Sequence, residues 1–231
     1  SKIEECVSSL LANNIESFSQ GVEGKATLVA VSKTKPVQDI MEAYNAGQRD
    51  FGENKIQEMA DKFEQLPKDI RWHMIGHVQG NKIKFMAPFV HLVHGIDKTK
   101  RLKELDKEAV KNDRVIDCLL QVHIAKEDTK FGFDEQEVIE VLTNSPEEKF
   151  PNVRICGLMG MATFTENELQ VRNEFKGLFQ IFSKAKAQLG LPHFAILSMG
   201  MSGDYQLAID EGSTMVRIGS SIFGTRDYQS K

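Results

Sequence analysis

The feature that most constrains the fold of this chain is a repeated alternation between short apolar runs and amphipathic segments. The runs 26–32 (ATLVAVS) and 115–122 (VIDCLLQV) are largely apolar, which is typical of strands buried on both faces of a parallel sheet. Six further short runs occur at 49–51, 71–75, 91–96, 153–158, 193–198 and 214–218. Apolar residues at helical spacing separate the runs, so the pattern predicts successive right-handed βαβ units.

Eight such units favour a single (β/α)8 TIM barrel, a fold that typically needs about 250 residues. The chain has 231 residues, and no linker or low-complexity tract divides it, so we expect one domain over residues 1–231. An amphipathic pattern from Ile3 to Phe18 adds an extra N-terminal helix before the first strand. An open doubly wound sheet is the alternative arrangement of the same units.

Local signals mark several helix ends. Gly47 and Gly190 follow apolar stripes and are expected to stop two helices. Asp97 and Asp134 precede helical patterns and are expected to act as N-caps. A helix is also expected over residues 79–86.

Composition excludes several classes of function. Lys and Arg total 29 against 33 Asp and Glu, a net charge of −4, which disfavours a nucleic-acid partner. The three cysteines, Cys6, Cys118 and Cys156, are too few and too scattered for a disulfide framework, so we expect a reducing, cytoplasmic location. We expect no membrane span, because no apolar run approaches about 20 residues, and no signal peptide, because the N-terminus is polar.

In a barrel, the loops after the strands carry the active site, which draws attention to Lys33 at the end of the first run. Strand alternation places Lys33 on the same face as Val29 and Val31, and burial there would make its amine a usable nucleophile. Lys35, just before Pro36, is the rival lysine. A salt-bridged lysine at a strand end is the plain structural alternative.

Arg217 lies on the last predicted strand and is expected to point into the barrel, because its neighbours Val216 and Ile218 share the opposite, helix-facing side. A guanidinium in that position needs an acceptor. Two partners remain open at this stage, a carboxylate such as Glu53 or an acceptor atom of a ligand.

Glycine and serine follow the last two strands, where many barrels bind phosphate. Gly219 permits close approach of a ligand, and Ser220 offers a hydroxyl and an amide. Ser198 and Ser202, after the seventh strand, are expected to contribute from the neighbouring loop. Ordinary turn chemistry is the alternative explanation.

The histidines do not form a metal-binding motif. His73 and His77 are four residues apart and His91 and His94 three apart, without a third ligand in either pattern. His91 and His94 would face opposite sides of a strand. We therefore predict no metal site, a core position for Cys156, and a solvated loop at 126–132.

The same residues lie in longer motifs. These motifs are VAVSKTKP (29–36), AGQRDFGEN (46–54), WHMIGHVQGNK (72–82), GLMGMA (157–162), LSMGMSGD (197–204) and STMVRIGSSIFGTRDY (213–228). Together they resemble the motifs of the pyridoxal phosphate homeostasis protein family. The resemblance covers about residues 26–228. It implies an alanine racemase-like barrel of fold type III with pyridoxal 5′-phosphate (PLP) as cofactor. His123 and Gly80 depart from the expected pattern, which leaves the role of the 121–132 loop open.

The resemblance also implies a role for individual residues. Lys33 would form a Schiff base with PLP, Asn54 would lie beside the cofactor, and Arg217 would face the pyridine nitrogen. The phosphate would be held by Gly219 and Ser220, with Ser198 and Ser202. The pocket would be lined by Met161, Ile75 and His77.

These implications favour a PLP carrier in vitamin B6 homeostasis that supplies PLP-dependent apoenzymes, without robust turnover and as a monomer. An arginine at the ring nitrogen restrains carbanion chemistry, because it only donates hydrogen bonds. Racemases with such an arginine use a tyrosine from another domain as a second base, whereas this sequence has only Tyr44, Tyr205 and Tyr228. A PLP-dependent racemase or decarboxylase of low activity is the main alternative, and a phosphate-sugar barrel enzyme is a third.

Overall fold

The computed structural model describes residues 2–126 and 131–224, with side chains from residue 10 onward within those ranges. Its strands form a closed barrel in which each pairs in parallel with the next and β8 pairs with β1. The strands are β1 Thr27–Val31, β2 Asp50–Glu53, β3 Arg71–Met74, β4 Leu92–Ile96, β5 Ile116–Gln121, β6 Val153–Met159, β7 Ile196–Ser198 and β8 Met215–Ile218. The predicted (β/α)8 barrel is therefore confirmed, and the open sheet is excluded.

Helices surround the barrel in the expected alternation. They are α1 Lys2–Val22, α2 Val37–Asn45, α3 Ile56–Gln65, α4 Ile83–Met86, α5 Thr99–Lys111, α6 Glu135–Thr143, α7 Pro146–Lys149, α8 Glu168–Leu189, α9 Tyr205–Asp210 and α10 Ser220–Phe223. The expected helix over 79–86 is instead a 3₁₀ turn, Gly80–Lys82, followed by the short α4.

The predicted helix ends are largely confirmed. Gly190 is the C-cap of α8, and Gly47 adopts a positive φ of 104° just after α2. Asp134 caps α6 in a full capping box with Glu137. The prediction for Asp97 is wrong, because α5 begins at Thr99 and the extended residue before it is Lys98.

Side chains pack in two layers on either side of the strands. The inner cluster contains Val29, Leu92, Leu119, Met159 and Met215, all buried inside the barrel. The outer layer fills the space between strands and helices. Alternation along β1 explains the division, since Leu28 and Ala30 belong to the outer layer and Val29 to the inner one.

The extra helix α1 packs on the side of the barrel where the first and last strands meet. Leu11, Ile15 and Val22 are buried in the outer layer. The side-chain amide of Asn14 donates a 3.1 Å hydrogen bond to the carbonyl of Ile222, in the short helix after β8. The helix thus supports the loop that follows the last strand.

Candidate functional site at the mouth of the barrel

Lys33 lies at the end of the barrel where the strands finish, two residues beyond β1, and is partly exposed. The residues of β1 just before Lys33 lie next to two residues that the sequence singled out, Arg217 and Gly219. Val29 pairs with Arg217, and a Cβ on Gly219 would lie 3.1 Å from the Cβ of Val31. The fold therefore brings Lys33, Arg217 and Gly219 to one mouth.

The backbone on both sides of Lys33 is held by helix α3. The ammonium of Lys62 donates a 2.8 Å hydrogen bond to the carbonyl of Ser32. On the other side, the N–H of Thr34 donates to the Glu58 carboxylate at 2.7 Å. Thr34 has a φ of 65°, a conformation that is strained for a β-branched residue and that clusters at functional sites.

Arg217 points into the barrel as predicted and is almost completely buried. Its guanidinium donates to the hydroxyl of Ser198 and, at 3.2 Å, to the carbonyl of Gly160, both neutral acceptors. Burial lowers the pKa of Arg217 to about 10, against an opposing effect of Asp204. A desolvated cation bound to neutral groups favours a ligand acceptor nearby.

Glu53, the carboxylate considered as a partner of Arg217, is used elsewhere. It is fully buried and forms an ion pair with Lys62, on the helix side of β2. Burial raises the pKa of Glu53 to about 7, although Lys62 opposes the shift. The described contacts of Arg217 therefore do not include Glu53, and the second partner that the sequence left open, an acceptor atom of a ligand, stays a prediction.

The four residues predicted to hold phosphate separate into two groups. The N–H of Gly219 donates to the hydroxyl of Ser202 at 3.3 Å, and Ser220 is exposed beside them at the start of α10. Ser198 is fully buried, and its hydroxyl lies between Arg217 and His94. The rim of the mouth therefore contains Gly219, Ser202 and Ser220, whereas Ser198 lies below Arg217.

Two predicted pocket residues form the apolar floor of the mouth. Met161 packs against the inner cluster of the barrel. Ile75 faces the interior, since a Cβ on Gly52 would lie 3.2 Å from its Cδ1 and 3.0 Å from Val29. Gly52 thus leaves room for the side chains of Ile75 and Val29 inside the barrel.

Asn54 and His77 lie in the loops after β2 and β3. The backbone of Asn54 packs against Gly76, where a Cβ would come within 2.3 Å of the Asn54 carbonyl. His77 is half-exposed, with Nδ1 3.4 Å from the Asp97 carboxylate and its ring 5.5 Å from that of Phe131. Both residues lie in loops at the mouth end of the barrel, and their contacts with a cofactor stay predictions.

Only part of the 121–132 loop is described, since residues 127–130 fall outside the described ranges. On its described side, the N–H of Lys126 donates to the hydroxyl of Thr163 at 3.0 Å. Phe131 is exposed beside His77. At Gly80 a Cβ would meet only the ends of the Glu104 and Arg101 side chains, which can move, so packing does not require glycine there.

The sequence argument missed a buried polar cluster below the mouth. The rings of His91 and His94 both contact His73, at 5.4 and 5.2 Å, so the prediction that they face away from each other is wrong. The reason is that His91 precedes β4, which begins at Leu92, so strand alternation does not fix its direction. Asp50, His73 and His91 place one ligand atom each within 4.8 Å, although Arg71 binds both oxygens of Asp50 at 2.9 Å.

Comparisons with known proteins define the class of protein first. A family model described as the N-terminal domain of alanine racemase matches residues 8–227. The alanine racemase of Bartonella henselae, solved with covalently bound pyridoxal phosphate, has the same fold (TM-score 0.72) at 19% identity over 96% of this chain and 61% of that one. The chain is thus an alanine racemase-like barrel.

Closer relatives narrow the assignment. Pyridoxal phosphate homeostasis proteins of Aquifex aeolicus and Schizosaccharomyces pombe are 40% and 38% identical, over 89% and 98% of this chain and 90% and 94% of theirs. PipY of Synechococcus elongatus, solved with PLP bound, superposes with a TM-score of 0.84 at 32% identity, over 93% of this chain and all of that one. The chain belongs to the pyridoxal phosphate homeostasis protein family.

Among the described residues, no helix combines the length and the apolar character needed to cross a bilayer.

Proposed function

We propose that the protein binds PLP as a Schiff base on Lys33 and acts in PLP homeostasis. The observation that carries this proposal is the set of donors at one mouth: an amine, a buried guanidinium and a glycine–serine rim. These match the aldehyde, the ring nitrogen and the phosphate of PLP in turn. PipY, with PLP bound, supports the same cofactor.

The bound group would supply an aldehyde and an aromatic ring able to accept electrons. Within the site, Arg217 would keep the ring nitrogen unprotonated, because a guanidinium has no acceptor. Gly219, Ser202 and Ser220 would bind the phosphate, and Met161 and Ile75 would lie against the ring. Lys33, with its backbone anchored on both sides, would be held towards the aldehyde.

The positions of the tyrosines support a carrier rather than a racemase. The hydroxyl of Tyr44 donates a 2.7 Å hydrogen bond to Asp69 on the outside of the barrel. Tyr205 packs edge-on against Phe18 of the N-terminal helix. Tyr228 lies outside the described residues. Neither described tyrosine is placed as a second base at the mouth, so we propose that the protein releases PLP to apoenzymes instead of processing amino acids.

The test begins with the visible spectrum of the purified protein loaded with PLP. Borohydride should fix the cofactor, and peptide mapping should find a phosphopyridoxyl group on Lys33. Lys33→Ala should abolish the adduct, whereas the control Lys35→Ala should retain it. An adduct on Lys35 alone, or none on the wild type, would contradict the Schiff base.

The homeostasis role needs a second measurement. Loaded protein is mixed with a PLP-dependent apoenzyme, and recovery of the apoenzyme's activity is followed. We expect transfer of PLP together with slow or undetectable turnover of amino acids by the protein alone. Rapid racemisation or decarboxylation of an amino acid would support the alternative, a PLP-dependent enzyme, and overturn the carrier.

A further inference from the structure

A continuous chain of hydrogen-bonded side chains runs through the interior of the barrel, from the mouth to the opposite end. The guanidinium of Arg217 contacts the hydroxyl of Ser198, which lies 2.9 Å from Nδ1 of His94. Nε2 of His94 lies 2.9 Å from Nδ1 of His73, and Nε2 of His73 lies 2.9 Å from the carboxylate of Asp50. Five strands thus contribute one residue each.

This chain of hydrogen-bonded side chains is shielded from water along its length. Ser198 and His94 are fully buried, and His73, Arg217 and Asp50 expose less than a tenth of their surface. In such surroundings an unmatched donor or acceptor costs free energy, so every link needs the correct proton arrangement.

The two ends favour one direction for the protons. Arginine only donates, so Ser198 accepts from it, and its own proton can be donated to Nδ1 of His94. His94 then carries its proton on Nε2 and donates to Nδ1 of His73. His73 in turn carries its proton on Nε2 and donates to Asp50, whose carboxylate can only accept.

The charges at the two ends support this order. Arg71 donates two 2.9 Å hydrogen bonds to Asp50 and keeps it anionic. Although burial opposes ionisation, His73 and Arg71 together hold the pKa of Asp50 below its usual range. Burial lowers the pKa of His94 well below its usual range, so its ring is neutral. The neutral imidazole of His94, together with the ring of His73, therefore connects an anion to the buried cation of Arg217.

We propose that His94 and His73 are positioning residues that act through Ser198, holding Arg217 as a hydrogen-bond donor directed at the ring nitrogen of PLP. The inference rests on the proposed binding of PLP. If His94 is removed, the hydroxyl of Ser198 is free to rotate and Arg217 loses a partner of defined orientation. The contact with the ring nitrogen weakens, while those with the aldehyde and phosphate remain.

The first test compares two ligands. PLP and 1-deazapyridoxal phosphate, which has carbon in place of the ring nitrogen, are titrated spectroscopically into the wild type and His94→Leu. We expect the variant to bind PLP about tenfold more weakly, with a shifted absorption band, and the deaza analogue within about twofold of wild type. Equal losses for both ligands would show general damage to the site and overturn the proposal, as would no loss for PLP.

Two further variants control for folding and chemistry. His94→Asn retains an acceptor near the position of Nδ1, so it should recover much of the affinity for PLP lost in His94→Leu. His193 is exposed and outside the chain of hydrogen bonds, so His193→Asn should bind both ligands as the wild type does. If His94→Asn binds PLP no more tightly than His94→Leu, the acceptor role of His94 is contradicted.

The chain of protons is also tested without the cofactor. Nitrogen-15 NMR of the ligand-free wild type should show His94 and His73 as neutral tautomers protonated on Nε2. Either ring protonated on Nδ1, or both nitrogens protonated at neutral pH, would contradict this chain of hydrogen bonds. If these tautomers are found and PLP does not bind, the proposed function fails while the arrangement of the hydrogen bonds stands.

Discussion

The backbone N–H of Thr34 donates a 2.7 Å hydrogen bond to the carboxylate of Glu58. Thr34 directly follows Lys33 and has a φ of 65°, so this contact stabilises a turn that threonine adopts at a cost. The neighbouring helical residue Lys62 holds the carbonyl of Ser32 on the other side. The lysine at the barrel mouth is therefore presented by a strained segment that α3 holds in place.

Replacing Thr34 with glycine should separate stability from binding. Glycine adopts a positive φ freely, so we expect Thr34→Gly to raise the free energy of unfolding by up to about 1 kcal/mol. The same change should weaken PLP binding severalfold, because Lys33 becomes less restricted. Urea unfolding and spectral titration measure the two effects. Asp113→Gly is the control, since Asp113 has a φ of 50° but tolerates it better and lies far along the chain from Lys33.

The carboxylate of Glu58 should matter for cofactor binding more than its exposure suggests. Glu58→Gln keeps the size of the side chain but removes the charge that accepts from Thr34 and pairs with Lys62 at 3.3 Å. We expect PLP to bind roughly three- to tenfold more weakly, in line with about 1 kcal/mol for a partly exposed charged hydrogen bond. Glu64→Gln, at an exposed position on the same helix, should bind normally. Equal affinities for the two variants would contradict this role.

Stability should depend on pH through Glu53. Burial raises the pKa of this carboxyl to about 7 in the folded protein, above 4.5 for the unfolded chain, although Lys62 opposes the shift. Its contribution is therefore fully present below pH 4.5 and is lost as pH rises through 7. We expect the difference in unfolding free energy between the wild type and Glu53→Gln to fall by about 2 kcal/mol from pH 5 to pH 8.

The comparison with Glu53→Gln is needed because His94 changes the pH dependence of the unfolding free energy in the opposite direction. Burial lowers the pKa of His94, so its contribution is present above about pH 6.5 and is lost as pH falls. Both proteins contain His94, so subtracting their unfolding curves removes its effect. Parallel curves across this range would mean that Glu53 does not bind a proton near pH 7.

Two glycines provide a matched test of the barrel itself. Gly157 in β6 has a φ of 156°, and a Cβ there would lie 1.7 Å from the carbonyl oxygen of Ile196 in β7. Gly157→Ala should therefore cost about 3 kcal/mol or more, or prevent folding. A Cβ on Gly177 in helix α8 would have nothing within 4 Å, so Gly177→Ala should stabilise the protein by about 0.5–1 kcal/mol. Thermal unfolding of both variants measures the contrast.

Much of the candidate site was predictable because it depends on strand order and alternation. Lys33 follows the first strand and Arg217 lies on the last, and these two strands are adjacent in the closed barrel. The two-residue period of a strand placed Arg217 inside. The Gly219–Ser220 loop follows from the same geometry, since all strands end at one mouth.

The buried chain of hydrogen-bonded side chains was not predictable in the same way. Asp50, His73 and His94 lie on three strands, and their hydrogen bonds depend on register to within one residue. His94 lies inside the barrel by alternation with Leu92, whereas His91, before the strand, reaches His73 in a way that alternation does not predict. Likewise, only packing against α3 shows that Glu53 pairs with Lys62 rather than with Arg217.

The sequence by itself determined the barrel and the residues at its mouth, because hydrophobic periodicity and chain order are local properties. The tertiary structure alone decided which polar groups are partners inside the barrel. In a dry interior each donor must meet one acceptor at hydrogen-bonding distance, and that match depends on strand register and helix packing across the whole molecule.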